Sequence, residues 1–209
     1  MADAALLISL FPPALLCARI EVRKGKVGEL MQLYGTSVLN HRSQAYQLLE
    51  RSAAEHWGIT PLSPVTRDQR GKPFFSTLPD HHFNLSHSGR LALCALDHSP
   101  VGVDIQIVKQ WRPSLPTHTC SPEELNWLEG GKDFWRRFTL LWTLKECRVK
   151  QSGTGLTHPI SKIRVPLPTE NTDLYSLDDL WFRIYSGHGW QAAVCGLSPP
   201  PQEIRWITL

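Results

Sequence analysis

The chain has 209 residues, 42% of them hydrophobic, enough for one large domain or two small packed units with a real core. Its 22 Lys and Arg against 19 Asp and Glu leave a formal charge of only +3. That is too weak to argue for nucleic acid through phosphate neutralisation, although a mildly basic surface suits an acidic protein partner. In chain order, the first segment is AALLISLFPPALLCA, which lacks a basic flank, carries Asp3 and is broken by Pro12 and Pro13. A buried strand or loop is expected there rather than an export signal. No other run approaches the ~20 apolar residues of a membrane helix, so no membrane association is expected. Residues 38–57 contain neither Gly nor Pro and place Ala45, Leu48, Leu49 and Ala53 on one face, predicting a helix that ends at Gly58. A turn-rich piece with Pro61, Pro64, Gly71 and Pro73 follows.

LALCALD and VGVDIQIV read as two strands of a hairpin turning at His98, Ser99 and Pro100. Ser121, Pro122, Glu123 and Glu124 have the order of a helix start, with a cap, a proline at the first position and acids in the first turn. FWRRFTLLWTLKECRVKQ is a second strong helix, closed by Gly153, with Phe134, Phe138, Leu141 and Val149 as its buried stripe. KIRVPLP, LWFRIYS, WQAAVCGL and EIRWITL read as strands, the middle two joined through Gly-His-Gly. The expected class is α+β, with two units, 1–106 and 107–209, meeting near residues 106–116. Cysteines at 17, 94, 120, 147 and 195 are odd in number and lack a Cys-x-x-Cys spacing. That pattern fits a reducing, cytoplasmic setting rather than a disulfide framework or zinc ribbon.

Several side chains could carry chemistry. Alternation along VGVDIQIV puts Asp104 and Gln106 on the face opposite Val103 and Ile105. Asp104 is then either a solvent-facing residue of a one-sided sheet or a ligand for a hard cation such as Mg2+. On the long helix Trp142, Glu146 and Lys150 recur every four residues. They form either a solvated i, i+4 ion pair beside an aromatic or an acid and an ammonium set for phosphate chemistry, with Gly153 and Gly155 leaving room for a ligand. In FNLSHSG, Ser86 and His87 sit next to Ser88 and Gly89 and suit a phosphate cradle as well as a buried polar turn. His81, His82 and His87 match no zinc spacing. Lys72 lies in the rigid Gly-Lys-Pro turn.

Taken together, GKPFF, FNLSHSG, GVDIQ and FWRRFTLLWTLKECRVKQSGTGL resemble the ordered signature of phosphopantetheinyl transferases of the Sfp type, over residues 71–155, about two fifths of the chain. The resemblance implies two pseudo-symmetric α+β halves with the active site at their interface, and transfer of the 4′-phosphopantetheine of coenzyme A to a serine of an acyl or peptidyl carrier protein. It implies Asp104 and Glu146 as Mg2+ ligands, with Gln106 where many members carry a further acid. Glu146 and Lys150 are the implied catalytic pair, and Lys150 also meets the pyrophosphate. Lys72, Ser86 and His87 are the implied phosphate-binding residues. The arginine usual on the first helix is replaced by Tyr46, and Arg42, one turn earlier, is the candidate substitute. Two fused halves need no second copy, so a monomer is expected. Gln106 and the missing arginine leave open a coenzyme A or carrier-binding paralogue with impaired turnover, and the acid and lysine set leaves open a metal-dependent phosphohydrolase. Arg136, Arg137 and residues 109–116 are candidates for partner contact.

Overall fold

The computed structural model describes residues 31–37, 44–155 and 159–209. The N-terminal apolar segment, Cys17, Arg42 and the predicted start of the first helix at residue 38 lie outside the described residues. Among those described, the elements in order are β1 (Gln32–Thr36), α1 (Gln44–Trp57), β2 (Val65–Arg67), β3 (Pro73–Phe75), β4 (His82–Ser88), β5 (Leu91–Asp97) and β6 (Gly102–Ile107). Then come α2 (Leu115–Thr119), α3 (Pro122–Glu129), α4 (Phe134–Ser152), a 3-10 turn (Ile160–Lys162), β7 (Leu174–Leu177), β8 (Leu180–Gly187), β9 (Trp190–Gly196) and β10 (Arg205–Trp206). The fold is mixed α+β, as expected.

One four-stranded sheet has the order β10-β1-β5-β4 and the other β6-β9-β8-β7, with β2 and β3 forming a separate pair. Strand alternation gives each sheet two apolar faces. Leu33, Leu93 and Ala95 of the first sheet meet Val103, Ile105, Ala192 and Val194 of the second in one buried cluster. On its other face the first sheet offers Tyr34, Ala92, Cys94 and Leu96 to Leu48 and Leu49 of α1. The second sheet turns Phe182, Ala193 and Cys195 toward Phe138, Leu141 and Leu144 of α4. The layers therefore run helix, sheet, sheet, helix, and the four described cysteines are buried free thiols.

Two sequence expectations are corrected. β5 and β6 are not a hairpin: β5 pairs with β1 and β4, while β6 crosses into the second sheet and pairs with β9 (Asp104 opposite Ala193). KIRVPLP forms no strand, and of EIRWITL only Arg205 and Trp206 pair, parallel to β1. Pro166 and Pro168 deny the first segment its ladder donors. The predicted helix start at Ser121 is a full capping box, with Glu124 N–H donating to Ser121 Oγ and Ser121 N–H to Glu124 Oε2. The β8–β9 hairpin turns at His188 and Gly189 as read, with Gly187 opposite Trp190.

Candidate active site between the two sheets

The site begins with a close approach. Gly102 opens β6 directly against the last turns of α4, where a Cβ would overlap the Cys147 carbonyl oxygen and lie 2.6 Å from the Gln151 amide nitrogen. With no side chain there, helix and strand come near enough for Glu146 and Lys150 to reach the strand two residues on.

Asp104 is the hub. It is only 2% exposed, so the solvent-facing reading of this strand carboxylate does not apply. Lys150 Nζ donates to Asp104 Oδ1 at 2.6 Å, Ser86 Oγ donates to the same oxygen at 2.7 Å, and Gln106 Nε2 donates to Oδ2 at 3.2 Å. The ion pair of Lys150 therefore crosses from helix to strand. Lys150 also donates to Ser86 Oγ at 3.1 Å and to the Val103 carbonyl at 3.2 Å. Glu146, half-buried, has its carboxyl pushed above the usual range by burial first and by the negative charge of Asp104 second, with Lys150 opposing. Two desolvated carboxylates and one ammonium thus share one small volume.

The FNLSHSG strand does more than hold a turn. β4 and β6 are edge strands of different sheets, and alternate side chains of β4 serve the backbone of β6. Asn84 Oδ1 accepts from Val103 N at 3.0 Å, Ser86 Oγ from Ile105 N at 3.2 Å, and Ser88 Oγ from Ile107 N at 3.0 Å. Donors that an edge would leave bare are satisfied by this side-chain ladder. Ser86 is buried, with its one hydrogen on Asp104 and both acceptor positions taken by Ile105 N and Lys150. Its hydroxyl is fully committed to orienting the carboxylate and the ammonium.

Above this hub lies a groove of about 290 Å³, with Arg70, Lys72, Asn84, Glu146, Lys150 and Gly153 among its walls. Lys72 Nζ donates to the Gln151 carbonyl at 2.8 Å, at the C-terminal end of α4, and burial pushes its ammonium below the usual lysine range. Gly153, in the left-handed region at φ 67°, ends the helix so that the chain turns away and leaves the groove open. The structure brings Lys72, Glu146 and Lys150 to one groove, with Asp104, Ser86 and Gln106 beneath it. His87 shares a face of β4 with Phe83 and Leu85, of which Leu85 lines the groove, but His87 itself is not among the groove's walls. Tyr46, in place of the absent arginine, has its hydroxyl 3.5 Å from Arg67.

One lysine went unassigned in the sequence. Lys145, beside Glu146, is 2% exposed, and its three hydrogens go to Glu124 Oε2 at 2.7 Å, the Thr119 carbonyl at 2.9 Å and the Ile160 carbonyl at 2.9 Å. It ties α4 to the α3 capping box and to the 3-10 turn. Trp142 is likewise packed, its ring 5.6 Å from that of Trp111. Of the arginines suggested for partner contact, Arg137 stacks 3.8 Å over Trp127 and donates to the Trp127 carbonyl, and Arg136 donates to the Gly187 carbonyl at 3.4 Å.

No cluster of three or more His, Cys, Asp or Glu side chains is placed to hold a metal among the described residues. The carboxylates of Asp104 and Glu146 nevertheless suit a hard divalent cation taking its other ligands from water and substrate phosphates, and Gln106, whose Nε2 faces Asp104 while its Oε1 accepts from Ser88 Oγ, would add a third oxygen only with its amide turned. Burial is the main cause that raises Glu146, and the lesser contribution from the Asp104 charge is what such a cation would relieve.

A family model described as the 4′-phosphopantetheinyl transferase superfamily matches residues 100–195, from just before the Asp104 strand through α4 to β9. The chain is 34% identical over 181 residues to the 4′-phosphopantetheinyl transferase Sfp of Bacillus subtilis (strain 168), covering 80% of each chain. It is 33% identical over 160 residues to a second 4′-phosphopantetheinyl transferase of Bacillus subtilis, covering 73% of this chain and 71% of that one. With the 4′-phosphopantetheinyl transferase AcpT of Salmonella typhi it shares 36% identity over 121 residues, 53% of this chain and 60% of the relative. Identity extending over four fifths of the chain, well beyond the motif-bearing groove, means that the chain belongs to the 4′-phosphopantetheinyl transferase superfamily.

Proposed function

We propose that this enzyme transfers the 4′-phosphopantetheine group of coenzyme A to a serine of an acyl or peptidyl carrier protein, releasing 3′,5′-ADP, with Mg2+ as its cation. The observation that carries this reading is the convergence of Asp104, Glu146 and Lys150 beneath and along one groove that also receives Lys72. Asp104 and Glu146, with Gln106, are the residues that would hold Mg2+, which when bound neutralises charge on the pyrophosphate. Lys150, whose side chain is 26% exposed, pairs with Asp104 at the edge of the groove. Its ammonium would meet the pyrophosphate and stabilise the charge that grows on the departing 3′,5′-ADP.

Glu146 takes the proton of the attacking serine. Its carboxylate lines the groove, and a positioned carboxylate is among the side chains that serve as general bases. Oxygen of the serine bonds to the β-phosphorus as the bond to the ADP-side oxygen breaks, and the proton passes to Glu146. Lys72, desolvated at the end of α4, is a second cation for coenzyme A phosphate. Ser86 acts through Asp104 and Lys150, and His87, on the same face of β4 as the groove-lining Leu85, serves the phosphates. Two related α+β halves belong to the same reading, supported by two four-stranded sheets that each pack a helix on the outer face. The two halves would be complete in one monomer.

The test is mass spectrometry of an apo carrier protein incubated with the enzyme, coenzyme A and Mg2+. The expected result is a gain of one phosphopantetheinyl group on the carrier serine, lost when the metal is chelated. No gain on any of several acyl and peptidyl carriers, or release of free phosphopantetheine in their place, would overturn the reading.

A further inference from the structure

A second groove, of about 410 Å³, lies on the far side of the α4 terminus and shares Val149 and Gly155 with the first as common walls. Its charged lining is cationic: Arg148 from α4, Lys162 from the 3-10 turn and Arg164 just after it. The counter-charge is a single acid. Asp178, in the β7–β8 turn, accepts from Arg148 at 2.8 Å and pairs with Arg164 at 3.2 Å. No acid pairs with the exposed Lys162 among the described residues, and the Arg164 side chain remains 70% exposed despite its pairing. Three cations against one anion, in a concave surface joined to the candidate active site, exceed what local neutrality or helix solvation calls for. The arginines first suggested by the sequence, Arg136 and Arg137, are spent on internal carbonyls and a tryptophan face, whereas Lys162 and Arg164 of this groove remain exposed.

Resting on the function proposed above, we infer that this second groove is the docking surface for the carrier protein, receiving an acidic segment of it beside the serine to be modified. Charge complementarity names the occupant: an anionic protein surface long enough to place one hydroxyl in the adjoining groove. Coenzyme A fits less well here, because its pyrophosphate belongs with Lys72 and Lys150 on the other side of Val149 and Gly155.

Lys162→Glu and Arg164→Glu change neither groove wall shared with the first site nor any group placed in its chemistry. Each is expected to raise KM for the carrier about tenfold, and the pair more, while kcat at saturating carrier and KM for coenzyme A stay put. Added salt should weaken the wild type and leave the double variant nearly insensitive. Lys132→Glu, an exposed reversal between α3 and α4, is the control and should do little. Binding of the apo carrier followed by fluorescence anisotropy, without coenzyme A, reads the surface independently of turnover. Should the wild type bind a carrier through Lys162 and Arg164 yet transfer nothing, the proposed activity fails and this inference stands. Equal carrier affinity in wild type and double variant, an equal loss in Lys132→Glu, or a rise confined to KM for coenzyme A would overturn it.

Discussion

Lys145 and Lys150 stand five residues apart on α4, and their surroundings give them opposite work. Lys150 rests on one carboxylate oxygen, a hydroxyl and a carbonyl at the edge of a groove and can exchange these for a ligand. Lys145 has each hydrogen on a buried acceptor and no route to solvent. Lys145→Met strands Glu124 as an unpaired buried charge, so a loss of about 3–5 kcal/mol is expected in urea unfolding. The double variant Glu124→Gln, Lys145→Met keeps an acceptor for Ser121 N–H while removing the stranded charge, and should recover roughly 1–3 kcal/mol of it. A double variant no more stable than the single would mean that the carbonyls of Thr119 and Ile160, rather than the ion pair, dominate. Glu146→Gln is expected to behave in the reverse way. Removing a desolvated charge beside Asp104 leaves the unfolding midpoint unchanged or higher, whereas transfer falls on the order of 10²-fold or more for want of a base. Retained turnover would take Glu146 out of the proton path.

At the scale of elements, the decisive contact is β6 against α4, and it turns on Gly102. Gly102→Ala must push the helix off the strand, since the added methyl overlaps backbone rather than a movable side chain. Overpacking of this kind costs about 1–3 kcal/mol, and activity should fall much further than stability because the gap between Asp104 and Lys150 widens. Steady-state kinetics at a temperature where the variant is fully folded separates the two effects. Activity in proportion to the folded fraction would show that the approach is not needed. The same contact marks how far the sequence could be read. Elements governed by near neighbours were legible: the Ser121 cap, the long helix to Gly153 and the β8–β9 hairpin each follow from residues within a few positions of one another. The partner of β6 was not, because alternation says which face a strand buries but not which strand lies beside it, and β9 is about ninety residues away. Buried polar roles were equally hidden. Helical periodicity puts position 145 on the buried stripe between Leu141 and Val149, where a lysine is out of character, and only the tertiary positions of Glu124, Thr119 and Ile160 explain how its charge is satisfied inside. Ser86 read as a phosphate ligand for a similar reason, since nothing local reveals that its hydroxyl is already filled.

For the whole molecule, the last eight residues tie the chain back to β1 and α1. β10 lies parallel to β1, Ile204 packs into the core between the sheets, and Ile207 and Leu209 pack into the core beneath α1. Arg205 pairs with Glu55, and Arg51 donates to the Thr208 carbonyl, so the tail also clasps the helix. Deleting residues 202–209 removes three aliphatic side chains that, being only partly buried, are worth together about 3 kcal/mol at about 1 kcal/mol each, below the range for full burial, and bares the outer edge of β1. The first sheet cannot loosen alone, because its inner face shares one apolar cluster with the second and its β4 edge is stitched to β6. The truncated chain is therefore expected to unfold at lower urea in a single transition, with far-UV circular dichroism and tryptophan fluorescence coincident. Turnover per folded molecule should be close to that of the full chain in the cold, since no residue of the tail lines the groove. Two separated transitions, with the first sheet melting ahead of the second, would show that the inter-sheet layer and its side-chain ladder are too weak to couple the halves.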